Sequence, residues 1–217
     1  MHTHTLFSDG ELIPFELVRR AAMKGYTAIA ITDHMDSSNM DFIIPRIARA
    51  AADLQDASTV KVVPGAELTH IPPMLFTRMV AEARKLGALI VIAHGETIVE
   101  PVEPGTNRAA IMAGVDILSH PGLIEEDDVA LAAERRVALE ITSRRGHSIT
   151  NGHVSRLALK YGARMVVNTD SHAPGDLIDD ETARNVLRGA GVPREMIEAA
   201  FENSEALVFK ALGRKNA

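Results

Sequence analysis

The stretch Phe76–Gly95, FTRMVAEARKLGALIVIAHG, holds one complete structural unit. Its first eleven residues form an amphipathic helical segment, Gly87 follows at once, and the apolar run Ala88–Ala93 leads to His94. Glycine ends a helix in the left-handed conformation without a Cβ penalty, and an apolar run of six is of strand length. The same unit recurs on both sides. Further strands are expected at Thr27–Thr32, Thr59–Pro64, Val115–Ser119, Val137–Thr142 and Arg164–Thr169. Helices are expected near Pro14–Lys24, Pro45–Leu54, Asn107–Ala113, Glu126–Arg135 and Val154–Tyr161. Gly25, Gly114 and Gly162 repeat the role of Gly87, each between a helix and the next strand. A short first strand at His2–Thr5 brings the number to seven. Helices at Asp180–Arg188, Arg194–Asn203 and Ala206–Leu212 close the chain. Alternating strands and helices imply a parallel sheet, either an open doubly wound sheet or a closed barrel. No Gly-rich phosphate loop follows the first strand, which disfavours a dinucleotide-binding sheet. No linker interrupts the pattern, so a single domain is expected over residues 1–217.

Hydrophobic residues make up 46% of the chain, enough for a sizeable core, so intrinsic disorder is not a serious reading. There are no cysteines, so any metal must be bound through nitrogen and oxygen. The start MHTHTLFSDG has neither the basic nor the apolar region of a signal peptide, and no apolar run is long enough for a membrane span. A cytoplasmic protein without a membrane partner is the expectation. The net charge of -6 at pH 7 argues against long nucleic acid as a partner. It also has a second reading, because three divalent cations would offset it.

Metal-binding residue types recur once per unit. His2 and His4 share one face of the first strand, since side chains alternate along a strand. Asp9 follows in the Ser8-Asp9-Gly10 turn. His34 ends the second strand, Glu67 follows the third, His94 and His120 end the fourth and fifth, and Asp170 and His172 end the seventh. From His4 the steps are 30, 33, 27 and 26 residues, then 50 from His120 to Asp170, or two units. In a parallel barrel all strand C-terminal ends meet on one face, where active sites are built. Taken singly, a loop histidine is usually a satisfied polar group, and Asp-Gly or Thr-Asp-His is a turn or helix-cap signal. The joint pattern, with six of nine histidines at strand ends, outweighs that explanation. His70, His147 and His153 do not follow it.

These motifs resemble the PHP family, the polymerase and histidinol phosphatase domain, from Met1 to about Asp176. The matching pieces are His2-Thr3-His4 with Ser8-Asp9-Gly10, Thr32-Asp33-His34, Pro64-Gly65-Ala66-Glu67, Ala93-His94-Gly95, Ser119-His120-Pro121 and Thr169-Asp170-Ser171-His172. The resemblance implies a distorted seven-stranded β/α barrel with C-terminal helices and a trinuclear metal site. It assigns His2, His4, Glu67 and Asp170 to the first ion and Asp9, His34 and His172 to the second. His94 and His120, with a bridging Glu67, fall to the third. Such ligands suit Zn, Fe or Mn. Family members carry several residues before the His-x-His pair, whereas only Met1 precedes it here, so the expectation is either a very short first strand, with a loosely held His2, or a natural start upstream of Met1.

The expected activity is hydrolysis of a small phosphomonoester, histidinol phosphate or a similar compound, with Asp9, His34 or His172 assisting proton transfer to the leaving alcohol. Arg144 and Arg145 are candidates for gripping phosphate, since a guanidinium fork matches its oxygens. His70, three residues past Glu67, is a further substrate candidate. Glu140 and Asn168 are candidates for orienting ligands from behind. Three rivals remain: a phosphodiesterase or exonuclease-like enzyme acting on nucleotides, a carbon–nitrogen hydrolase on a similar barrel, and a non-catalytic metal-stabilised accessory domain. The carbon–nitrogen reading lacks a lysine near a strand end to serve as a carboxylated bridge.

Overall fold

Alternation along each strand decides what faces the helices and what faces inward. A computed structural model describes residues 1–214; positions 215–217 of the domain expected over 1–217 lie outside the described residues. The strands are β1 (Ala28–Ile31), β2 (His34–Met35), β3 (Lys61–Leu68), β4 (Ile90–His94), β5 (Ile117–Ser119), β6 (Ala138–Thr142) and β7 (Met165–Asn168). All pair in parallel in the order β1-β3-β4-β5-β6-β7, with β2 continuing the β1 side of the long strand β3. The helices are α1 (Pro14–Met23), α2 (Met40–Leu54), α3 (Phe76–Leu86), α4 (Thr106–Ala113), α5 (Glu126–Arg135), α6 (Asn151–Tyr161), α7 (Asp180–Gly189) and α8 (Ile197–Arg214). The result is a curled, distorted α/β barrel of seven parallel strands. Among the described residues, no helix is long and apolar enough to cross a membrane.

One set of strand residues, including Ile29, Ile31, Val62, Val91, Leu118, Leu139 and Ile141, joins the buried faces of the helices. Each fully buried aliphatic side chain contributes about 1.5–3 kcal/mol. The alternate set, Ala30, Val63, Ile90, Ile92, Ile117, Ala138 and Val166, fills the barrel interior together with Leu207 and Ala211 of α8. Farther along the same inward faces the chemistry changes. Glu67, His94, Ser119, Glu140 and Asn168 occupy these positions near the strand C-terminal ends, and all are buried. An apolar plug therefore supports a polar layer at the mouth.

Three expectations are corrected. His2–Thr5 is not a strand; it makes one isolated parallel bridge, Thr3 to Ser171. The segment touches both sheet edges only at the mouth: the His4 amide donates to Ser171 O (2.8 Å), and the Thr32 amide donates to Thr3 O (2.9 Å). It thus closes the ring at one end while β1 and β7 do not pair with each other. Below it a cavity of about 700 Å³ opens between the two edges, lined by Met1, Tyr26 and Lys61 and by Phe201, Val208 and Leu212 of α8. The seventh strand is instead the two-residue β2.

Helix α2 starts at Met40 rather than Pro45 and runs through the proline. An interior proline costs about 3 kcal/mol. Met40, Ile43, Ile44 and Ile47 are all buried on one side of this helix, and at about 1.5–3 kcal/mol each they outweigh that cost. The two C-terminal helices expected at Arg194–Asn203 and Ala206–Leu212 are mostly one, because Ser204-Glu205 contains no breaker and the side chains on both sides of it are bound. Asn203 Nδ2 donates to Met165 O (2.9 Å), while Leu207 and Ala211 plug the barrel.

Candidate metal centre

At the mouth, imidazoles and carboxylates approach one another at ligand spacing. Four groups have donor atoms mutually within 4.8 Å: His4, Asp9, His34 and His172; His2, His4 and Asp170; His2, Glu67 and His120; and His120, His147 and Asp170. Glu67 stands between them. Its Oε1 is 3.1 Å from His2 Nε2, and its Oε2 is 2.8 Å from His34 Nδ1 and 3.6 Å from His4 Nε2. Asp170 Oδ1 lies 3.2 Å from His4 Nε2 and 3.5 Å from His2 Nε2.

Eight of the nine residues assigned to metals through the resemblance fall in these groups; His94 does not. The His94 ring lies 4.4 Å from that of His120, but its Nε2 points to Glu100 Oε2 at 3.1 Å. His2, expected to be loosely held, is fully buried, and its Nδ1 donates to Glu140 Oε2 at 2.9 Å. Burial replaces the missing strand as its anchor.

The backing is built from polar residues on the inward faces. Asn168 Nδ2 donates to Glu140 Oε2 (2.8 Å), and Ser119 Oγ donates to Glu67 Oε1 (2.7 Å). His94 Nδ1 donates to Gly95 O (3.2 Å), and His172 Nδ1 donates to Asp170 O (3.0 Å). With its Nδ1 proton committed in this way, each of His2 and His172 turns its Nε2 to the centre, the arrangement a metal-ligating histidine needs. Asp33 is buried beside His34 and clamps the first turn. It accepts from the Thr5 amide (2.7 Å), Thr5 Oγ1 (2.9 Å) and Ser8 Oγ (2.8 Å), which places Asp9 at the rim.

Two of the candidate ligand positions are reached through unusual backbone. His120 and Asp170 have φ of 25° and 49°, a region costing an L-residue roughly 1–2 kcal/mol. Such backbone is typical of functional sites held by their surroundings. After β4 the chain must pass against the end of β5. A Cβ on Gly95 would stand 2.3 Å from Ser119 O, so only glycine fits there.

The donor set itself tests whether a cation fits. Buried His2 Nε2, both nitrogens of His4, His120 Nδ1, Glu67 Oε2 and Asp170 Oδ1 have no hydrogen-bond partner, although several lie close together. Buried polar groups are rarely left so. A divalent ion among them would satisfy Nε2 of His2 and His4 and both carboxylates. Electrostatics agree. Burial opposes ionisation of Glu67, yet His2 and His34 hold its carboxyl well below the usual range. Asp170 is likewise depressed against burial, by His2 and His4. Burial pushes His4 down to about 4 and takes His120 well below its ordinary value, so both offer lone pairs at neutral pH.

The other candidates separate. Asp9 is 57% exposed at the rim, with His172 Nε2 at 3.2 Å and His34 Nε2 at 3.7 Å. Arg144 reaches the mouth: its NH1 lies 3.1 Å from Asp176 Oδ2 and its Nε 4.0 Å from Asp170 Oδ2. Arg145 is exposed and takes no part in the site's contacts. His70 is partly exposed, 3.4 Å from Glu100. His153 turns away to Ile124 O.

Two residues were missed by the sequence reading. Glu100, on the loop after β4, lies 3.1–3.4 Å from His94, His70 and His147. No spacing signal marks it. His147 is buried beside His120, with ring centroids 4.1 Å apart. It did carry a signal, because the gap of 50 residues between His120 and Asp170 divides at His147 into steps of 27 and 23.

The chain is 51% identical over 199 residues to an uncharacterized protein of Methanocaldococcus jannaschii, covering 91% of each chain. It is 28% identical over 239 residues to a probable phosphatase of Clostridium botulinum, covering 99% of this chain and 93% of the other. Among solved structures, a chain from archaeal ribonuclease P with mature tRNA superposes with a TM-score of 0.73. That chain is 18% identical, and the match covers 96% of this chain and 90% of the other, a likeness of fold alone. The PHP domain profile matches residues 1–215. The chain belongs to the PHP domain family, whose members are metal-dependent.

Proposed function

We propose that this protein is a phosphoester hydrolase that uses three divalent ions, Zn, Fe or Mn, to act on a small phosphomonoester such as histidinol phosphate. The observation that carries the reading is the buried convergence of His2, His4, Glu67, His120 and Asp170, with metal-facing atoms that no protein group satisfies. Relatives named as probable phosphatases support it. When bound, the ions supply Lewis acidity: they hold phosphoryl oxygens, acidify water and offset charge on the leaving oxygen.

The protein's own groups do the rest. Arg144, tied to Asp176, extends a guanidinium over the mouth and orients phosphate oxygens. Asp9, His34 and His172 form the rim group that handles the leaving alcohol. Burial opposes it, but His172 and His34 lower the Asp9 carboxyl to about 2, so Asp9 acts as an acceptor that orients the two imidazoles. Ionised at neutral pH, Asp9 therefore assists as an acceptor rather than as the proton donor to the leaving oxygen. His70, beside Glu100, contacts the part of the substrate beyond phosphate.

The test is metal analysis coupled to assays with p-nitrophenyl phosphate and its bis ester. Three equivalents of metal and turnover of the monoester, abolished by chelation and restored by metal, are expected. Preference for the bis ester would make the enzyme a diesterase. Full loading without turnover on a broad phosphoester panel would overturn the enzymatic reading in favour of an accessory role.

A further inference from the structure

We propose that His147 is a tenth ligand of the metal centre, binding the third ion beside His120; this rests on the metal-dependent reading above. His147 reaches the site from the 3-10 turn that follows β6, a strand whose end brings no residue from the nine. Its side chain is 8% exposed. Nδ1 is engaged with Thr97 Oγ1 at 2.7 Å, which directs Nε2 to the centre. There Nε2 lies 4.0 Å from Asp170 Oδ2 and 3.4 Å from Glu100 Oε1. His120, His147 and Asp170 together form one of the four groups whose ligand atoms all lie within 4.8 Å of one another. His94, by contrast, stands outside every such group.

A purely structural His147 would need only Thr97 and Glu100. That pairing does not explain why the ring stacks on His120 or why its inner nitrogen converges with Asp170. Thr97 occupies the place of the outer hydrogen-bond partner that a metal-ligating histidine requires. The loops after β4 and β6, which carry Thr97 and His147, are thereby linked to the ion.

The experiment measures metal content of the full-length protein after dialysis against graded chelator, with visible absorption of the cobalt-substituted form. In the His147→Ala protein we expect loss of one of three equivalents, or its release at chelator concentrations at least tenfold lower, with an altered cobalt spectrum. His147→Asp, which restores an oxygen ligand, should recover the equivalent. Thr97→Val keeps the ligand but removes its support, and should weaken retention about 10–100-fold; it serves if His147→Ala does not fold. Three equivalents, unchanged chelator midpoints and an unchanged cobalt spectrum in both His147→Ala and Thr97→Val would overturn the assignment. A wild-type protein that holds no metal would instead sink the metal-dependent reading itself. Metal loss specific to His147→Ala without phosphatase turnover would leave this ligand standing and remove only the proposed activity.

Discussion

Glu140 allows folding and metal retention to be separated by two substitutions at one position. Its carboxylate is fully buried and accepts from His2 Nδ1 (2.9 Å) and Asn168 Nδ2 (2.8 Å). Glu140→Ala leaves both donors without a partner, at about 1–3 kcal/mol each, so the metal-free protein should lose roughly 2–6 kcal/mol in urea unfolding. Glu140→Gln preserves volume and an acceptor oxygen, so its folding stability should change little. It does remove the charge that makes His2 a strong ligand, and the loss of such a partner weakens metal binding about 10–100-fold, or about 1.4–2.7 kcal/mol. A second effect runs the other way. Burial lowers the pKa of His2, but Glu67, Glu140 and Asp170 outweigh it and raise the pKa well above the ordinary value. Without the Glu140 charge, the proton on His2 is easier for a metal to displace. The deficit of Glu140→Gln should therefore be partly masked at neutral pH and grow as pH rises through the folded pKa of His2. Chelator competition at several pH values measures it. A midpoint equal to wild type at every pH would refute the argument.

Metal binding should release protons near neutral pH, because carboxylate neighbours raise His2, His34 and His94 despite burial. Apparent affinity should then rise with pH and level off above those raised values. Calorimetry in two buffers of different ionisation enthalpy reads the release, and identical heats would contradict it. Gly95→Ala should cost about 1–3 kcal/mol or more in urea unfolding, since its Cβ would meet the backbone oxygen of Ser119 at 2.3 Å; unchanged stability would show that the loops after β4 and β5 can part. Arg144→Ala should lower kcat/KM for a phosphomonoester by about 10–100-fold, the loss of one charged hydrogen bond. Arg145→Ala, at an exposed position, should change it little, and equal losses from the two would contradict their placement.

What the sequence disclosed and what it withheld divide along a physical line. The units were legible because each strand and the ligand type at its end are neighbours in the chain, and burial writes a period of two into strands and 3.6 into helices. The same periodicity explains why Glu140 and Asn168 could be suspected: they share inward faces with Ala138 and Val166, two residues back. The run His2–Thr5 alternates like a strand, but ladder pairing depends on two distant edges that only the folded barrel brings near, and those edges give it one isolated bridge, at Thr3. His147 was passed over because it lies five residues beyond the end of β6, on a loop, and loop reach is set by tertiary contacts such as Thr97 rather than by local pattern. Its spacing from His120 and Asp170 nevertheless matched the unit repeat. In this barrel the repeat length therefore picks out a residue at the mouth that strict placement at a strand end leaves aside. A residue of ligating type that fills a vacant step, even from a loop, should be treated as facing the centre.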